Sequence, residues 1–175
     1  MTKICPIIQY HVGNLGVGVK MPTKDKNYCE FDEKRVAGIM EQADHALPVI
    51  ENFLKTANDE KQILEGLYVI DKMIDNKVQG AEKLYPTLSR FNDTNSPNVQ
   101  VMLAGIYRKT RPIEAFGPLN KMLIKQSTNP SACCYLDPTE EIGGAIFEYL
   151  KSGAAIYDYA KQAEFTKNDS IQKAG

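Results

Sequence analysis

Two groups of three aliphatic residues occur at the same internal spacing in different parts of the chain. Each group follows the pattern i, i+4, i+7, which places its three side chains on one face of an α-helix. The groups are Ile63, Leu67 and Ile70, and, 36 residues further on in each case, Val99, Leu103 and Ile106. Because a helix with a single apolar face must bury that face against a neighbour, the repetition predicts helices stacked in series.

A shorter helical pattern that contains a proline precedes each of the two aliphatic groups. Each group therefore belongs to the second helix of a predicted pair, and the shorter pattern is the first helix. Pro48, Pro86 and Pro118 stand near the predicted starts of these first helices, where the missing N–H costs little. Asp32 is a predicted N-cap, and the pair Asn58-Asp59 is a predicted break that caps the next helix. A looser third pair follows, with its second helix beginning near Thr139. The sequence therefore predicts an all-α fold with about three helix pairs.

The two ends of the chain differ from this helical region in composition. Residues 1–31 hold scattered β-branched residues around the turn signal Gly13-Asn14, so we predict an extended N-terminal arm with strand-like pieces. Residues 32–165 are the predicted helical-repeat domain, and residues 166–175 are a polar C-terminal tail. We expect the arm and the last helix to cap the ends of the stack.

Two segments resemble the HEAT and armadillo-like families of helical repeat proteins. They are LPVIENFLKTANDEKQILEGLYVIDKMI (residues 47–74) and LYPTLSRFNDTNSPNVQVMLAGIYRKT (residues 84–110). Both are similar to a HEAT unit in having a proline in the first helix, an Asp/Asn-rich turn and spaced aliphatic residues in the second helix. The resemblance extends over residues 44–151 and implies a short right-handed α-solenoid. The alternative is a non-repetitive helical bundle.

Composition excludes some classes of function. The chain has 175 residues and a net charge of −1, so no overall field attracts it to nucleic acid or to an anionic membrane. It contains no run of about 18 apolar residues, the length that a membrane-spanning helix needs. Residues 1–21 lack the compact apolar run of a secretory signal. We therefore expect a cytoplasmic protein without a membrane partner.

No group of residues in the sequence is typical of catalysis, a metal site or a cofactor site. The segment from Gly13 to Lys20 is rich in glycine, but it lacks the Gly-Lys-Ser/Thr order of a phosphate-binding loop. The histidines and cysteines show no metal-ligand spacing. They are His11, His45, Cys5, Cys29, Cys133 and Cys134. We expect no cofactor and no bound metal, and we favour a protein without catalytic activity.

A protein or peptide is the partner that the sequence favours. A helical-repeat domain commonly binds through the concave face formed by its second helices. The residues that the pattern places outward on those helices are Glu65, Tyr68, Lys72, Gln100 and Arg108. They form the predicted binding face of a scaffold or adaptor.

A second hypothesis concerns the basic residues at the ends of the second helices. Arg108, Lys109 and Arg111, with Lys72 and Lys77 from the preceding unit, are predicted to form one basic edge. Cations at helix ends also complement the helix dipole, which explains the pattern without a ligand. The functional alternative is a nucleic-acid-binding HEAT-like protein, including an enzyme that processes bases.

The last helix carries several aromatic residues. Phe147, Leu150, Ala154 and Tyr157 share one helical face, and we predict that this face belongs to the core. Tyr149 and Tyr159 lie elsewhere on the helix and are predicted to be exposed, where tyrosine is a good interface anchor.

Overall fold

The computed structural model describes residues 6–23, 26, 28–128 and 137–152, and within these ranges the chain is helical. It has no β-strand in this part of the chain, only an isolated antiparallel bridge between Lys20 and Glu30. The described α-helices are α1 (Pro6–Gly13), α2 (Glu33–Met40), α3 (Ala43–Thr56), α4 (Glu60–Asp75), α5 (Tyr85–Leu88), α6 (Pro97–Thr110), α7 (Phe116–Thr128) and α8 (Pro138–Ser152). The predicted all-α class is confirmed.

Three 3₁₀ turns complete the described secondary structure, at Ala81–Lys83, Ser89–Phe91 and Ile113–Ala115. None of the helices in the described ranges combines the length and the apolar character that crossing a membrane requires.

Side-chain caps set the starts of several helices. Asp32 accepts hydrogen bonds from the backbone amides of Lys34 and Arg35, both at 3.1 Å, and these contacts confirm the predicted N-cap of α2. The hydrogen bond from the Arg35 amide is the largest cause that lowers the pKa of the Asp32 carboxyl. Asp59 caps α4 in the same way, as predicted, and Pro97 is the first residue of α6.

Pro48 is placed differently from its prediction. The helix α3 begins at Ala43, so Pro48 lies inside the helix rather than in its first turn. The apolar side chains of Ala46 and Leu47 are buried ahead of it. Burial of these side chains therefore stabilises the turn of α3 before Pro48 by more than the loss of one backbone hydrogen bond at the proline costs.

The helices contact one another in a regular order. Among the longer helices α4 packs on α6, and α6 packs on α8, while α3 packs on both α4 and α5. At the start of the chain α1 packs on α2 and α3, and α2 packs on α4. One continuous cluster of buried side chains runs from Ile8 in α1 to Tyr149 in α8.

Three hydrogen bonds between packed elements join residues that are 36 positions apart in sequence. Thr87 donates to Glu51 at 3.0 Å, Arg90 donates to the carbonyl of Leu54, and Ser96 donates to Glu60. Other contacts between elements span different separations, such as 38 positions from Lys109 to Asp71 and 30 positions from Arg35 to Glu65. The 36-residue offset of the two aliphatic groups therefore recurs in three of the contacts between elements.

The N-terminal segment corrects the prediction of an extended arm. Residues 6–13 form the helix α1, and Ile8, Val12 and Leu15 are at most 2% exposed. These three residues have the spacing i, i+4, i+7, which the analysis of β-branched residues overlooked. Because their burial against α2 and α3 requires one helical face, packing overrides the strand propensity of isoleucine and valine.

The aromatic residues of α8 correct a second prediction. Tyr149 is 2% exposed, whereas Phe147 is 62% exposed and Leu150 is 42% exposed. Burial of the Tyr149 ring raises the pKa of its hydroxyl. The face that α8 buries contains Ile142, Ala145, Ile146 and Tyr149, so two apolar faces competed for the core and the pattern indicated the wrong one. Ala154, Tyr157, Tyr159, the Cys133-Cys134 pair and the tail lie outside the described residues.

We expect α1 to contribute strongly to stability, and two adjacent isoleucines test this. Ile8→Ala removes a side chain that is fully buried, so it should lower the free energy of unfolding by about 2–5 kcal/mol. Ile7→Ala is the matched control, because Ile7 is 56% exposed, and it should change stability by no more than about 0.5 kcal/mol. Urea unfolding followed by circular dichroism measures both, and equal effects would contradict the packing of α1.

Candidate functional site

Glu65 is not on the surface, which corrects its prediction as an outward binding residue. Its side chain is fully buried and accepts hydrogen bonds from the backbone amides of Gly16 at 2.5 Å and Asp32 at 3.2 Å. The guanidinium of Arg35 donates to the same carboxylate through Nε and Nη2, both at 3.2 Å. Because these donors occupy both of its oxygens, Glu65 serves the fold and is unavailable to a partner.

Gln100 is also buried, and its outward placement was wrong for the same reason. Its side chain is 1% exposed and donates to the Thr94 carbonyl at 2.8 Å. It accepts a hydrogen bond from Gln126 at 2.6 Å, which ties α6 to α7. Helical pattern alone does not distinguish a buried polar residue from an exposed one, because the hydrogen-bond partner comes from a distant part of the chain.

Lys72 lines a surface groove, and Tyr68 lies next to it in a short row of side chains. The ring of Tyr68 stacks on Phe31 with centroids 4.4 Å apart, and its hydroxyl donates to Glu33 at 3.1 Å. The Lys72 ammonium lies 5.1 Å from the centroid of the Tyr68 ring, in cation–π geometry. The row therefore presents a carboxylate, a phenol and an ammonium that are held in fixed relative positions.

The groove beside this row has an apolar floor. It lies between α2 and the C-terminal part of α4 and has a volume of about 300 Å³. Its apolar residues are Val36, Ala37, Met40, Ala43 and Val78, with Glu33, Lys72 and Asn76 at the polar positions. A groove of this size accommodates an amino-acid side chain, and its few polar groups would orient the chain that carries it.

A second, more polar cavity adjoins the first. It has a volume of about 480 Å³ and shares Met40, Ala43, Asn76 and Val78 with the first groove. His45 and Lys77 also line it, together with Glu41, Gln42 and Asp44. The two cavities form one continuous depression along the α2–α3 turn and the end of α4.

The basic edge predicted from the sequence is partly neutralised. The Lys109 ammonium contacts Asp71 at 2.7 Å and Asp75 at 2.8 Å. Partial burial by itself would lower the pKa of Lys109, but the hydrogen bonds to the two carboxylates outweigh it and raise the pKa. Lys109 therefore joins α6 to α4 and presents little net positive charge to a ligand.

The two arginines of that edge are exposed and have different surroundings. Arg111 is the C-cap of α6 in the left-handed conformation, with φ at 50°, and its N–H bonds to the carbonyl of Tyr107. Arg108 lies against α8, where its Nη1 would be 3.6 Å from a Cβ added at Gly144. The structure thus separates Arg108 and Lys109, which turn toward opposite neighbouring helices.

Two of the residues considered for chemistry, His11 and Cys29, pack against other parts of the fold. No group of three or more His, Cys, Asp and Glu side chains is arranged to hold a metal ion within the described ranges. The imidazole of His11 lies against α2, since a Cβ at Gly38 would be 2.8 Å from its Nε2. Cys29 is partly buried beside a cavity of about 10 Å³, which is too small for a substrate.

Two important residues were missed by the sequence analysis. Arg35 is 7% exposed and completes the buried ion pair with Glu65, and Phe31 supports the ring of Tyr68. Both lie at the start of α2, close to the predicted cap. The spacing of Asp32, Arg35 and the apolar Val36 and Ile39 placed Arg35 on the buried side of α2, which was the available signal.

Comparison with known proteins identifies no relative: no family model, no curated protein and no solved structure matches this chain.

The Glu65–Arg35 pair predicts a specific non-additive effect on stability. Glu65→Leu removes the carboxylate that pairs with the buried Arg35 guanidinium and that accepts from two backbone amides, so it should cost about 3–5 kcal/mol. Adding Arg35→Met should restore part of that loss, because the unpaired buried charge is removed. Urea unfolding of the two single variants and the double variant gives the coupling energy.

An additive result in this cycle would contradict the buried pair. Lys55→Met is the control, because it removes the exposed i,i+4 contact between Lys55 and Glu51. It should shift the unfolding midpoint much less than either buried substitution.

Proposed function

We propose that the protein is a non-catalytic scaffold or adaptor that binds a protein or peptide, and that its helices form a short right-handed solenoid similar to HEAT and armadillo-like proteins. In such a solenoid the first helices of the pairs form one row and the second helices form another. The contacts of α4 with α6 and of α6 with α8 support the row of second helices, and the contact of α3 with α5 supports the row of first helices. The hydrogen bonds that join residues 36 positions apart support a repeating unit of that length.

We include α1 and α2 in the proposed solenoid as an additional first pair. Their contacts follow the scheme of the later pairs, because α1 packs on α3 and α2 packs on α4. In this arrangement α2 and α4 are the second helices of the first two pairs, and the groove lies between them at one end of the solenoid. A partner could then reach the groove without any displacement of the later helices.

The groove between α2 and α4 is the observation that carries the proposed function. Its apolar floor would accept a side chain such as leucine or methionine, and its two rim charges have opposite sign at Glu33 and Lys72. We infer a peptide with one apolar anchor, a basic residue toward Glu33 and an acidic residue toward Lys72. Hydrogen bonding and stacking of Tyr68 hold these groups in place before binding, which reduces the entropy cost of association.

The nucleic-acid hypothesis has weaker support. A phosphate-binding strip needs several unpaired cations in a row, and Lys109 is engaged by two carboxylates. Arg108 and Arg111 are exposed, but the net charge of the chain is −1.

A cytoplasmic location stays a prediction from the sequence.

Selection from a phage-displayed library of random peptides tests the groove. We expect peptides with an apolar anchor flanked by opposite charges to be enriched on the immobilised protein. Ala37→Arg fills the groove from an exposed helical position, so it should weaken a selected synthetic peptide at least about tenfold in fluorescence anisotropy. Lys72→Glu should reverse the preferred charge on one side of the anchor.

Asn52→Arg is the matched control, since it adds the same side chain at an exposed position of α3. It should leave the affinity for the peptide unchanged. Failure to enrich any peptide, or equal weakening by both arginine variants, would refute the groove as the binding site. Salt-sensitive binding of a DNA oligonucleotide that is lost in Arg108→Ala with Arg111→Ala would favour the nucleic-acid hypothesis instead.

A further inference from the structure

The helix α8 has a second face that the described residues leave uncovered. It lies opposite the face that holds Ile142 and Tyr149, and it carries Phe147 at 62% exposure. Two adjacent glycines and two oppositely charged residues share this face, namely Gly143, Gly144, Glu140 and Lys151.

The glycines make a notch one turn before the exposed ring. No heavy atom lies within 4 Å of the position that a Cβ would take at Gly143. At Gly144 the nearest group is the guanidinium of Arg108, 3.6 Å from the added Cβ. The surface of α8 therefore has a protruding ring at Phe147 and a recess beside it that is bordered by a cation.

This arrangement is complementary to itself under a two-fold rotation. If two α8 helices pack antiparallel about a point between residues 145 and 146, Phe147 of each copy meets Gly144 of the other. The ring would then enter the notch and lie near the Arg108 guanidinium, a favourable cation–π contact. The same register places Glu140 opposite Lys151 at both ends of the interface. The two charge pairs and the fit of the ring into the notch therefore favour the same alignment of the helices.

We propose that this face of α8 is the interface of a homodimer, with a second copy of the chain as its occupant. An isologous contact requires one patch to be its own complement, and α8 meets that requirement in shape and in charge. The helix has 15 residues and is therefore about 22 Å long. One helix face buries less than the roughly 800 Å² per partner of a standard stable interface, so we expect a weak dimer that forms only at high protein concentration. The interface is separate from the groove between α2 and α4.

Sedimentation equilibrium of the full chain, at concentrations from about 1 μM to about 500 μM, tests the dimer. We expect the mass to rise from monomer to dimer over this range. Phe147→Lys should weaken the association at least about tenfold, because it removes the ring and places an ammonium beside the Arg108 guanidinium in both notches. Ile124→Lys, at a position of α7 that is 64% exposed, is the control and should leave the association unchanged.

A charge exchange tests the alignment of the two helices. Glu140→Lys and Lys151→Glu should each weaken the dimer several-fold, because each places like charges opposite one another. The double variant restores opposite charges at both ends and should return the dissociation constant to within about twofold of the original. Circular dichroism confirms that each variant is folded, which is expected because both residues are exposed.

A mass that stays monomeric at every concentration would overturn the proposal and would indicate that residues 153–175 or a different partner cover this face. A dimer that persists in Phe147→Lys, or that the double charge exchange fails to restore, would overturn it as well. Peptide binding in the α2–α4 groove can succeed or fail independently of these results.

Discussion

The buried carboxylate of Glu65 determines how the first part of the chain is assembled. Transferring a carboxylate out of water costs several kcal/mol, and the cost is offset only while its donors remain in place. Those donors come from the Gly16 turn, from the N-terminus of α2 and from Arg35, which also donates to the carbonyl of Val17. Gly16 has φ at 89°, and a Cβ there would be 2.7 Å from Gln62, so only glycine brings its amide to the carboxylate. One ion pair thus fixes three segments against α4.

The position of α2 relative to α4 creates the candidate binding groove, so the core and the surface are connected. Glu65 is buried against Arg35 of α2, whereas Lys72, seven residues later on α4, lines the groove. Tyr68 contacts two residues of the groove, Glu33 and Lys72. The stacking of Tyr68 on Phe31 and its hydrogen bond to Glu33 join the same two elements at the surface. A change that loosens the buried pair would therefore also widen the groove. Stability and binding are expected to be coupled at this point of the molecule.

The sequence predicted the helices well because their signals are local. The caps at Asp32 and Asp59 and the aliphatic faces of α4 and α6 depend on residues within a few turns of one another. The binding residues depended on contacts that are distant in sequence, and this is why Glu65 and Gln100 were placed outward. Likewise, α1 was predicted as extended because its apolar residues are β-branched, although their spacing suits a helix. The buried face of α8 was predicted wrongly, because the face with Phe147 and Leu150 is apolar as well as the face with Ile142 and Tyr149.

The pairing of Lys109 supports the proposed protein partner over a nucleic acid. Lys109 bridges Asp71 and Asp75, so its charge is taken up by contacts between α6 and α4. A cation that already contacts two carboxylates gains little affinity from binding a phosphate. In the proposed complex the groove would discriminate between peptides, because each charge at its edge acts over a short distance on one side chain of the ligand. Glu33 and Lys72, which both contact Tyr68, would make that selection.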